Sequence, residues 1–437
     1  MSEQRKATEI EVIDDDSFSL DGFQVVREVL ITDKCLVEDP SKIEQLSLRR
    51  RRESKIVLHV ERTDRPYKCP RCGGVHAHAY ELRERTVDGV PDAFVPVAIR
   101  FTVHRLYCPD CGEAWVERIP FLSKPTSRCT KQLEKAIVAL RGEMSIKALS
   151  ESLGLSWGRV KKVEKDYLGK KYAHIPLKGV KALTIDEICV FHKGPDERKY
   201  MTVVRNAETG DVLFVGDGRG ADSLKPFEER LKRWRKRIEY VCMDMSSSYS
   251  KWVKDFLPNA KIVYDHFHVV KAMNDRTDKV RRRTMNKQDE DLKKVIKGQR
   301  WTLTKNREDL TEKEKGRLDE IRATFGELAD VYAMKEMLRG IYSFAQYEWG
   351  AGLLLDDWCE TARATKVPEL VSMAKCIEGH KDGILGYWRF GKACNSGAEG
   401  FNTKIRWLLK QAFGYRDREY LKLKIYALPD TKTTRDL

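Results

Sequence analysis

The pattern of apolar and polar positions divides the chain into stretches with different periods. The segment VPVAIRFTVHRLY (residues 95–107) alternates apolar and polar residues, which is the period of a half-buried β-strand. In residues 130–172 the apolar positions recur at helical spacing, with two breaks. Each break is followed by a serine that fits a helix N-cap, Ser145 and Ser156. We therefore predict three helices in a helix-turn-helix pattern.

The third helix of this pattern is basic. Its cationic residues are Arg159, Lys161, Lys162 and Lys165. A helix of this kind can lay a basic face along DNA. The alternative is a small bundle whose helices only pack on one another, because helical hairpins of that type are common.

The next stretch alternates strands and helices in a definite order. We predict strands at residues 182–190, 199–205, 211–215, 238–243 and 260–264, and helices at 221–235, 247–256 and from about 266. Three strands followed by strand and helix in turn is the order of a ribonuclease H-like fold. In that topology the first strand and the strand that ends at Met243 run parallel, side by side.

Acidic residues in these strands are candidate catalytic groups. Asp186 lies inside the first strand, and the predicted pairing brings it close to Asp244. Two such carboxylates repel each other unless a cation lies between them, and Mg²⁺ prefers oxygen ligands and is often shared with phosphates. For Asp244 the alternative role is to cap the helix that begins near Ser247. Glu187 faces the other side of the sheet, where it either supports the site residues from behind or forms a salt bridge, and we expect the salt bridge.

A third acid follows a long helical tract. That tract, from about 266 to 390, interrupts the domain that carries the first two acids. Glu399 then stands in the first turn of a helix that also carries Lys404 and Arg406. Ser396 and Glu399 also fit a capping box, so a metal ligand and a helix cap are both open for this glutamate.

The cysteines indicate a second kind of metal site. Cys69 and Cys72 form one CxxC pair, and Cys108 and Cys111 form another, with a glycine after each pair. Two such pairs can close a tetrahedral zinc site. Four unrelated core cysteines, or a redox pair, are the weaker alternatives, since redox chemistry needs only one pair.

Charge and composition narrow the class of partner. The 437-residue chain has 82 Lys and Arg against 67 Asp and Glu, which gives +15 at pH 7 and favours a polyanionic partner, nucleic acid before membrane. The basic segments 225–238 and 278–287 add candidate phosphate contacts, which include Arg233, Arg235, Arg281 and Arg282. No run of 18 apolar residues and no secretion signal are recognised, so we expect no membrane span.

Several short motifs in this order resemble one known family, the bacterial insertion-sequence DDE transposases of the third ISL group. The resemblance runs from about Tyr67 to about Ile425. It rests on the two CxxC pairs, the helix-turn-helix and the motifs TIDE, CMDMSSSY, YDHFHVVK, NSGAEGFN and FGYRDREYLKLKI. It implies that the three catalytic acids are Asp186, Asp244 and Glu399. It also raises Asp265, His266, His268 and Asn395 as residues near the site, although for the histidines we favour packing and hydrogen bonding over metal ligation.

The domain organisation follows from patterns and resemblance together. We predict a multidomain α+β chain in six segments: an N-terminal segment (1–55), a zinc ribbon (56–125), a helix-turn-helix (126–175), the first part of a ribonuclease H-like catalytic domain (176–285), a helical insertion (286–390) and the final catalytic helix with the C-terminal tail (391–437).

The resemblance implies an enzyme that binds the terminal inverted repeats of an insertion sequence, cleaves at its ends and transfers the 3′-hydroxyls to target DNA. The implied cofactors are two Mg²⁺ per active site, which Mn²⁺ could replace, and one structural Zn²⁺. The implied partners are double-stranded DNA and a second copy of the chain, in the bacterial cytoplasm at the nucleoid. The rival interpretation is a zinc-containing helix-turn-helix regulator without strand transfer, and a nuclease that cuts without joining is the nearer alternative.

Overall fold

The computed structural model of the chain describes residues 7–12, 20, 22–33, 54–63, 67–193, 197–392, 396–412 and 414–430. The chain divides into two units, one formed by residues 1–173 with 430–437 and the other by residues 174–429. Each unit has a sheet of its own.

The sheet of the first unit has the strand order β1-β2-β3-β5-β4, and β6 pairs with β5. Its strands are β1 (Ala7–Val12), β2 (Phe23–Asp33), β3 (Lys55–Arg62), β4 (His78–Asp88), β5 (Val97–Tyr107) and β6 (Ala114–Val116). The alternation predicted for residues 95–107 is confirmed, since Val97, Ile99, Phe101 and Val103 are buried whereas Arg100 is exposed.

Three helices follow this sheet, as the helical spacing predicts. They are α1 (Lys131–Leu140), α2 (Ile146–Leu153) and α3 (Trp157–Lys171). Ser145 is the N-cap of α2, and its side chain accepts a hydrogen bond from the Ala148 amide. Ser156 stands at the N-cap of α3 but makes no side-chain cap bond. The three helices share a small core, formed by Leu133, Ile137, Leu149 and Val160.

The sheet of the second unit has the strand order β11-β10-β7-β8-β9. Its strands are β7 (Ala182–Lys193), β8 (Glu197–Asn206), β9 (Val212–Asp217), β10 (Tyr240–Met243) and β11 (Lys261–Tyr264). Strands β7, β10 and β11 run parallel, whereas β8 and β9 are antiparallel to their neighbours. The predicted parallel pairing of β7 with the strand that ends at Met243 is therefore confirmed.

Helices connect and cover these strands. They are α4 (Lys225–Leu231), α5 (Ser247–Phe256), α6 (His266–Asn286), α7 (Glu290–Ile296), α8 (Arg300–Thr304), α9 (Glu312–Thr324), α10 (Gly326–Phe344), α11 (Glu348–Ala364), α12 (Pro368–Gly379), α13 (Lys381–Arg389), α14 (Ser396–Gln411) and α15 (Arg418–Ala427). Among the described residues, no helix is both long enough and apolar enough to cross a membrane.

The predicted helix at 221–235 is wrong in its extent. The α-helix ends at Leu231, and the chain then turns, with the Trp234 amide donating to the Leu231 carbonyl and the Arg237 amide to that of Trp234. Trp234 in this turn is partly buried against the core, and Ile238, which is fully buried, follows directly before β10.

The sheet of the second unit has a separate core on each face. One core includes Leu183 and Ile185 of β7 and continues into the helices from α4 to α13. The other includes Ile188 of β7 and packs against Phe401 and Ile405 of α14. Successive residues of β7 therefore face different helices, which decides the surroundings of Asp186 and Glu187.

Candidate active site and cysteine cluster

Two acids stand at the carboxyl ends of neighbouring parallel strands. Thr184 of β7 lies directly beside Cys242 of β10, so Asp186 and Asp244, each two residues further on, reach the same end of the sheet. Burial raises the pKa of Asp186, and the charge of Asp244 raises it further. The carboxyl ends of parallel strands are where open α/β sheets usually bind their ligands.

Both oxygens of the Asp186 carboxylate are held by donors. The backbone N–H of Glu187 donates to Oδ1 at 2.7 Å, and the side-chain amide of Asn402 donates to Oδ2 at 2.6 Å. These bonds favour the ionised form and so oppose the rise in the pKa of Asp186. The carboxylate is thereby fixed in one orientation although its environment disfavours its charge.

Asp244 is paired with a histidine from the next helix. Nε2 of His268, in α6, lies 2.5 Å from Oδ1 of Asp244. Burial lowers the pKa of His268, but the contact with Asp244 and its charge outweigh burial, and the pKa is raised. Asp244 does not cap the following helix, because the N-cap of α5 is Ser246. The capping role considered for Asp244 is therefore wrong.

Among the residues that the structure describes, a third acid, Asp265, lies beside this pair. It directly follows β11 and is buried, and its side chain accepts a hydrogen bond from the Phe267 amide at 3.1 Å as the N-cap of α6. Burial raises the pKa of Asp265, and the charges of Asp244 and Asp186 add to that rise. Three acids from the ends of three neighbouring parallel strands are therefore close enough for their charges to affect one another.

His266 differs from His268 in its surroundings. Its ring lies among those of Phe267, Tyr342 and Tyr387, with centroids 4.2 to 5.5 Å away. Burial lowers the pKa of His266, which favours the neutral ring. His266 thus packs among aromatic rings, with its Nδ1 3.5 Å from Oδ1 of Asp265, whereas His268 pairs with Asp244. The preference for packing and hydrogen bonding over metal ligation stays a prediction.

The last predicted acid belongs to α14. The backbone of Glu399 lies in the first turn of that helix, whereas its side chain and the whole of Asn395 lie outside the described residues. The ligand and capping-box roles of Glu399 thus both remain predictions. The residue that sequence reasoning missed is Asn402, which holds Asp186. Its position three residues after Glu399, on the same face of the helix, was the available signal.

Glu187 has no ionic partner among the described residues, so the expected salt bridge is wrong. Its Oε1 instead accepts hydrogen bonds from the Tyr249 hydroxyl at 2.7 Å and from the Gly220 amide at 3.1 Å. The same hydroxyl lies 2.9 Å from Oγ1 of Thr202. Uncharged donors satisfy this carboxylate because Gly220, which follows β9, and Tyr249 of α5 lie beside it, and no local pattern indicates these contacts.

The four cysteines of the two CxxC pairs come together in the first unit. Their Sγ atoms all lie within 4.8 Å of one another, with Cys69 and Cys111 3.6 Å apart and Cys72 and Cys108 3.6 Å apart. A tetrahedral zinc ion with Zn–S bonds of about 2.3 Å keeps its sulfurs about 3.8 Å apart. The spacing of these sulfurs therefore fits a single zinc ion.

Each cysteine pair is held by a turn of the same kind. The Cys69 amide donates to the Gly74 carbonyl and the Cys108 amide to that of Glu113, both at 2.9 Å. Gly73 and Gly112 adopt φ values of 74° and 72°, which glycine adopts at lower cost than other residues. Two equivalent knuckles thus present their sulfurs to a common point.

The basic residues predicted to bind DNA differ in their availability. On α3, Lys162 is exposed, Lys161 and Lys165 are partly buried, and Arg159 forms an ion pair with Asp88. Lys161 also lies over the ring of Trp157, with Nζ 5.4 Å from the ring centroid.

The remaining candidates lie in the second unit. Arg233 follows α4 in a turn and is exposed, whereas Arg235 begins a short 3₁₀ helix, Arg235–Arg237. The Arg281 side chain is 11% exposed and bonds to Asp278 at 2.8 Å, which makes it a structural cation, whereas Arg282 is 62% exposed. Lys404 and Arg406 extend from α14, with Arg406 exposed.

Comparison with known proteins defines the class of molecule to which this sheet and its acids belong. Residues 183–425, more than half of the chain, match a family model described as a transposase, of the DDE type and the ISL3 group. This range begins in β7, contains all three predicted catalytic acids and ends in α15.

Named relatives agree with this match. The chain is 30% identical over 374 residues to the transposase of insertion sequence element IS1001 of Bordetella parapertussis, covering 85% of this chain and 90% of the relative. It is 26% identical over 384 residues to the transposase of IS1557 of Mycobacterium tuberculosis, covering 81% and 84%. The protein belongs to the ISL3 family of insertion-sequence DDE transposases, and its function is that of a transposase.

Proposed function

We propose that this transposase cleaves DNA at the ends of its insertion sequence and joins the freed 3′-hydroxyls to target DNA, with Asp186, Asp244 and Glu399 as the metal-binding acids. The observation that carries the proposal is the parallel pairing of β7 with β10, which brings Asp186 and Asp244 to one end of the sheet. The strand order, with three antiparallel strands followed by two parallel ones, supports a ribonuclease H-like catalytic domain.

The acids fit a pair of Mg²⁺ ions, for which Mn²⁺ could substitute. Carboxylate oxygens are the ligands that Mg²⁺ prefers. Oδ1 of Asp244 is buried and lies 2.5 Å from Nε2 of His268. Burial, and after it the charge of Asp244, raises the pKa of Asp186, and a bound cation would favour its ionised form. Bound divalent ions would activate the attacking water or 3′-hydroxyl and stabilise the leaving oxygen.

The chain's own residues prepare this site. The Glu187 amide and Asn402 orient Asp186, so its carboxylate needs no rearrangement when a cation binds. His268 holds Asp244 in place and balances part of its charge. Asp265 anchors the start of α6, which carries His268, through its cap bond.

In this proposal, other segments of the chain recognise DNA. A zinc ribbon (56–125) and a helix-turn-helix (126–175) recognise the terminal inverted repeats, and the helical insertion (286–390) separates the catalytic segments 176–285 and 391–437. Exposed cations, among them Lys162, Arg233, Arg282 and Arg406, contact phosphates. Two ends must be joined, so the active form on DNA is a dimer, which works at the nucleoid in the bacterial cytoplasm.

The test is a strand-transfer assay with labelled insertion-sequence ends, a target plasmid and Mg²⁺. Wild-type protein should give end cleavage and products joined to the target, and Asp186→Ala should give neither while still binding the ends. Asp217→Ala is the matched control, because Asp217 belongs to the same sheet but pairs with Arg418 and Lys422.

The same assay separates the rival functions. Cleaved ends without joined products would indicate a nuclease. Binding without cleavage at any Mg²⁺ or Mn²⁺ concentration would indicate a regulator, and retained activity in Asp186→Ala would remove the central claim about the site.

The zinc assignment is tested separately by metal analysis. We expect one zinc per chain, lost in Cys72→Ser but kept in Cys376→Ser, whose cysteine lies outside the cluster. Structural zinc typically supplies about 10 kcal/mol or more of folding free energy. Chelation should therefore unfold the region around the cluster and weaken binding to end DNA.

A further inference from the structure

Asn402 makes a hydrogen bond that joins two distant parts of the chain. Its side-chain amide lies 2.6 Å from Oδ2 of Asp186, a residue 216 positions earlier. The bond connects α14 to β7, and the helices from α6 to α13 lie between these elements in sequence. Asp186 is partly buried, so this contact is shielded from competing water.

We propose that Asn402 is a positioning residue that fixes the Asp186 carboxylate for metal binding, from the same helix, α14, that carries Glu399. This inference rests on the proposed function, since it assumes that Asp186 binds the metal.

The chemistry of the amide suits this task. A neutral donor orients the carboxylate but leaves its negative charge available to a cation, whereas lysine or arginine at this position would compete with the metal. The Glu187 amide holds the other oxygen, so the plane of the carboxylate is defined by two donors. Partners of this kind orient ligands at metal sites, and their loss typically costs about 10- to 100-fold in metal affinity or activity.

Helix geometry links Asn402 to the third acid. Glu399 precedes it by three residues in α14, and positions three apart lie on one face of a helix. The contact of Asn402 with Asp186 therefore places the turn that contains Glu399 beside the end of β7. Residues on opposite sides of the helical insertion therefore meet at this hydrogen bond.

The docking of α14 does not depend on this amide. Phe401 and Ile405 are buried in the core between α14 and the sheet, and their apolar contacts remain when Asn402 is shortened. The variant Asn402→Ala should therefore fold, which makes the role of the amide testable in the full-length protein.

The experiment measures end cleavage against Mg²⁺ concentration for the wild type, Asn402→Ala, Asn402→Asp and the control Thr403→Ala, whose residue is exposed on the same helix. We expect Asn402→Ala to need about 10- to 100-fold more Mg²⁺ for half-maximal cleavage. Mn²⁺, which binds carboxylate sites more tightly, should reduce the defect. Asn402→Asp should be worse than Asn402→Ala because it places a like charge against Asp186.

A second readout measures metal binding without catalysis. Mn²⁺ titration of the protein bound to end DNA, followed by electron paramagnetic resonance, should show weaker binding in Asn402→Ala and unchanged binding in Thr403→Ala. Normal Mn²⁺ binding in Asn402→Ala, or a loss of cleavage that is equal at all metal concentrations, would overturn the inference. If Asp186→Ala retains cleavage, the proposed function fails instead, and Mn²⁺ binding alone then decides the role of Asn402.

Discussion

Asp186 and Glu187 are adjacent carboxylates in one strand, yet their surroundings are opposite in kind. Asp186 faces α14 and the acids Asp244 and Asp265, and burial with like charge raises its pKa. Glu187 faces the other core, where Tyr249 and Gly220 donate hydrogen bonds to it. A buried polar group is tolerated when its hydrogen bonds are satisfied. One acid is satisfied by neutral donors, and the other is held where its charge is disfavoured, as is common for residues with the role proposed for Asp186.

The largest difference between the two acids should be in catalysis. We expect Asp186→Ala to lower the rate of end cleavage on the order of 10³-fold or more, because a group that acts within a catalytic unit cannot be replaced by the others. Glu187→Gln, which keeps an acceptor for Tyr249, should change the rate only a few-fold. Single-turnover cleavage of labelled end DNA measures both rates. Similar losses of rate in the two variants would contradict the different roles of Asp186 and Glu187.

The second difference should be in stability. Glu187→Ala leaves the Tyr249 hydroxyl and the Gly220 amide without this acceptor, which should cost about 2 kcal/mol. Hydrogen exchange of the β7 and β8 amides, followed by mass spectrometry, should show faster opening. Glu187→Gln is the control, and protection equal to that of the wild type in Glu187→Ala would refute the structural role.

A smaller effect is expected at the hydroxyl itself. Tyr249→Phe removes one donor to Glu187 but keeps the ring in the core, so we expect a loss of about 1 kcal/mol in the free energy of unfolding. The dependence of cleavage on Mg²⁺ should not change, because this network lies on the face of β7 away from Asp186. A shifted Mg²⁺ dependence in Tyr249→Phe would show that the two faces are coupled.

The smallest effect should appear in the dependence of stability on pH without metal. The pKa of Asp186 is raised in the folded state, so the folded protein holds its proton at pH values where the unfolded chain has lost it. Stability therefore falls as pH rises from about 4 through the raised pKa. Asp265, whose pKa is also raised, contributes with the same sign. The raised pKa of His268 contributes stability that is fully present below about pH 6.5 and is lost as the pH rises through the raised pKa.

Asp186→Asn removes the contribution of Asp186 to this dependence of stability on pH. In EDTA we expect it to be more stable than the wild type at neutral pH, by about 1 kcal/mol or less, with a smaller difference near pH 4. Hydrogen exchange of β7 across this pH range measures the difference. A variant less stable than the wild type at pH 7 would mean that the charge of Asp186 is compensated even without metal.

Some of these features could be predicted because they depend on local sequence. The two CxxC pairs are short motifs, and each knuckle closes by hydrogen bonds within six residues. Ser145 caps α2 through a bond to an amide three residues away. The alternation that places Asp186 and Glu187 on opposite faces is a property of any strand.

Other features could not be predicted because they depend on elements distant in the chain. Glu187 accepts a hydrogen bond from Tyr249, 62 residues further along the chain, and Asp186 accepts one from Asn402, 216 residues further along. Helical periodicity and charge counts carry no signal for either contact, since both depend on which elements the fold brings together.

The sequence by itself determined the class of this protein, the two cysteine pairs, the order of strands and helices, and the strand from which Asp186 comes. Only the tertiary structure decided what each acid meets. It paired Asp244 with His268, gave Glu187 a neutral network in place of the expected salt bridge, and brought Asn402 to Asp186. The physical reason is that hydrogen bonding and desolvation depend on neighbours supplied by the fold, whereas periodicity and turn chemistry are carried by consecutive residues.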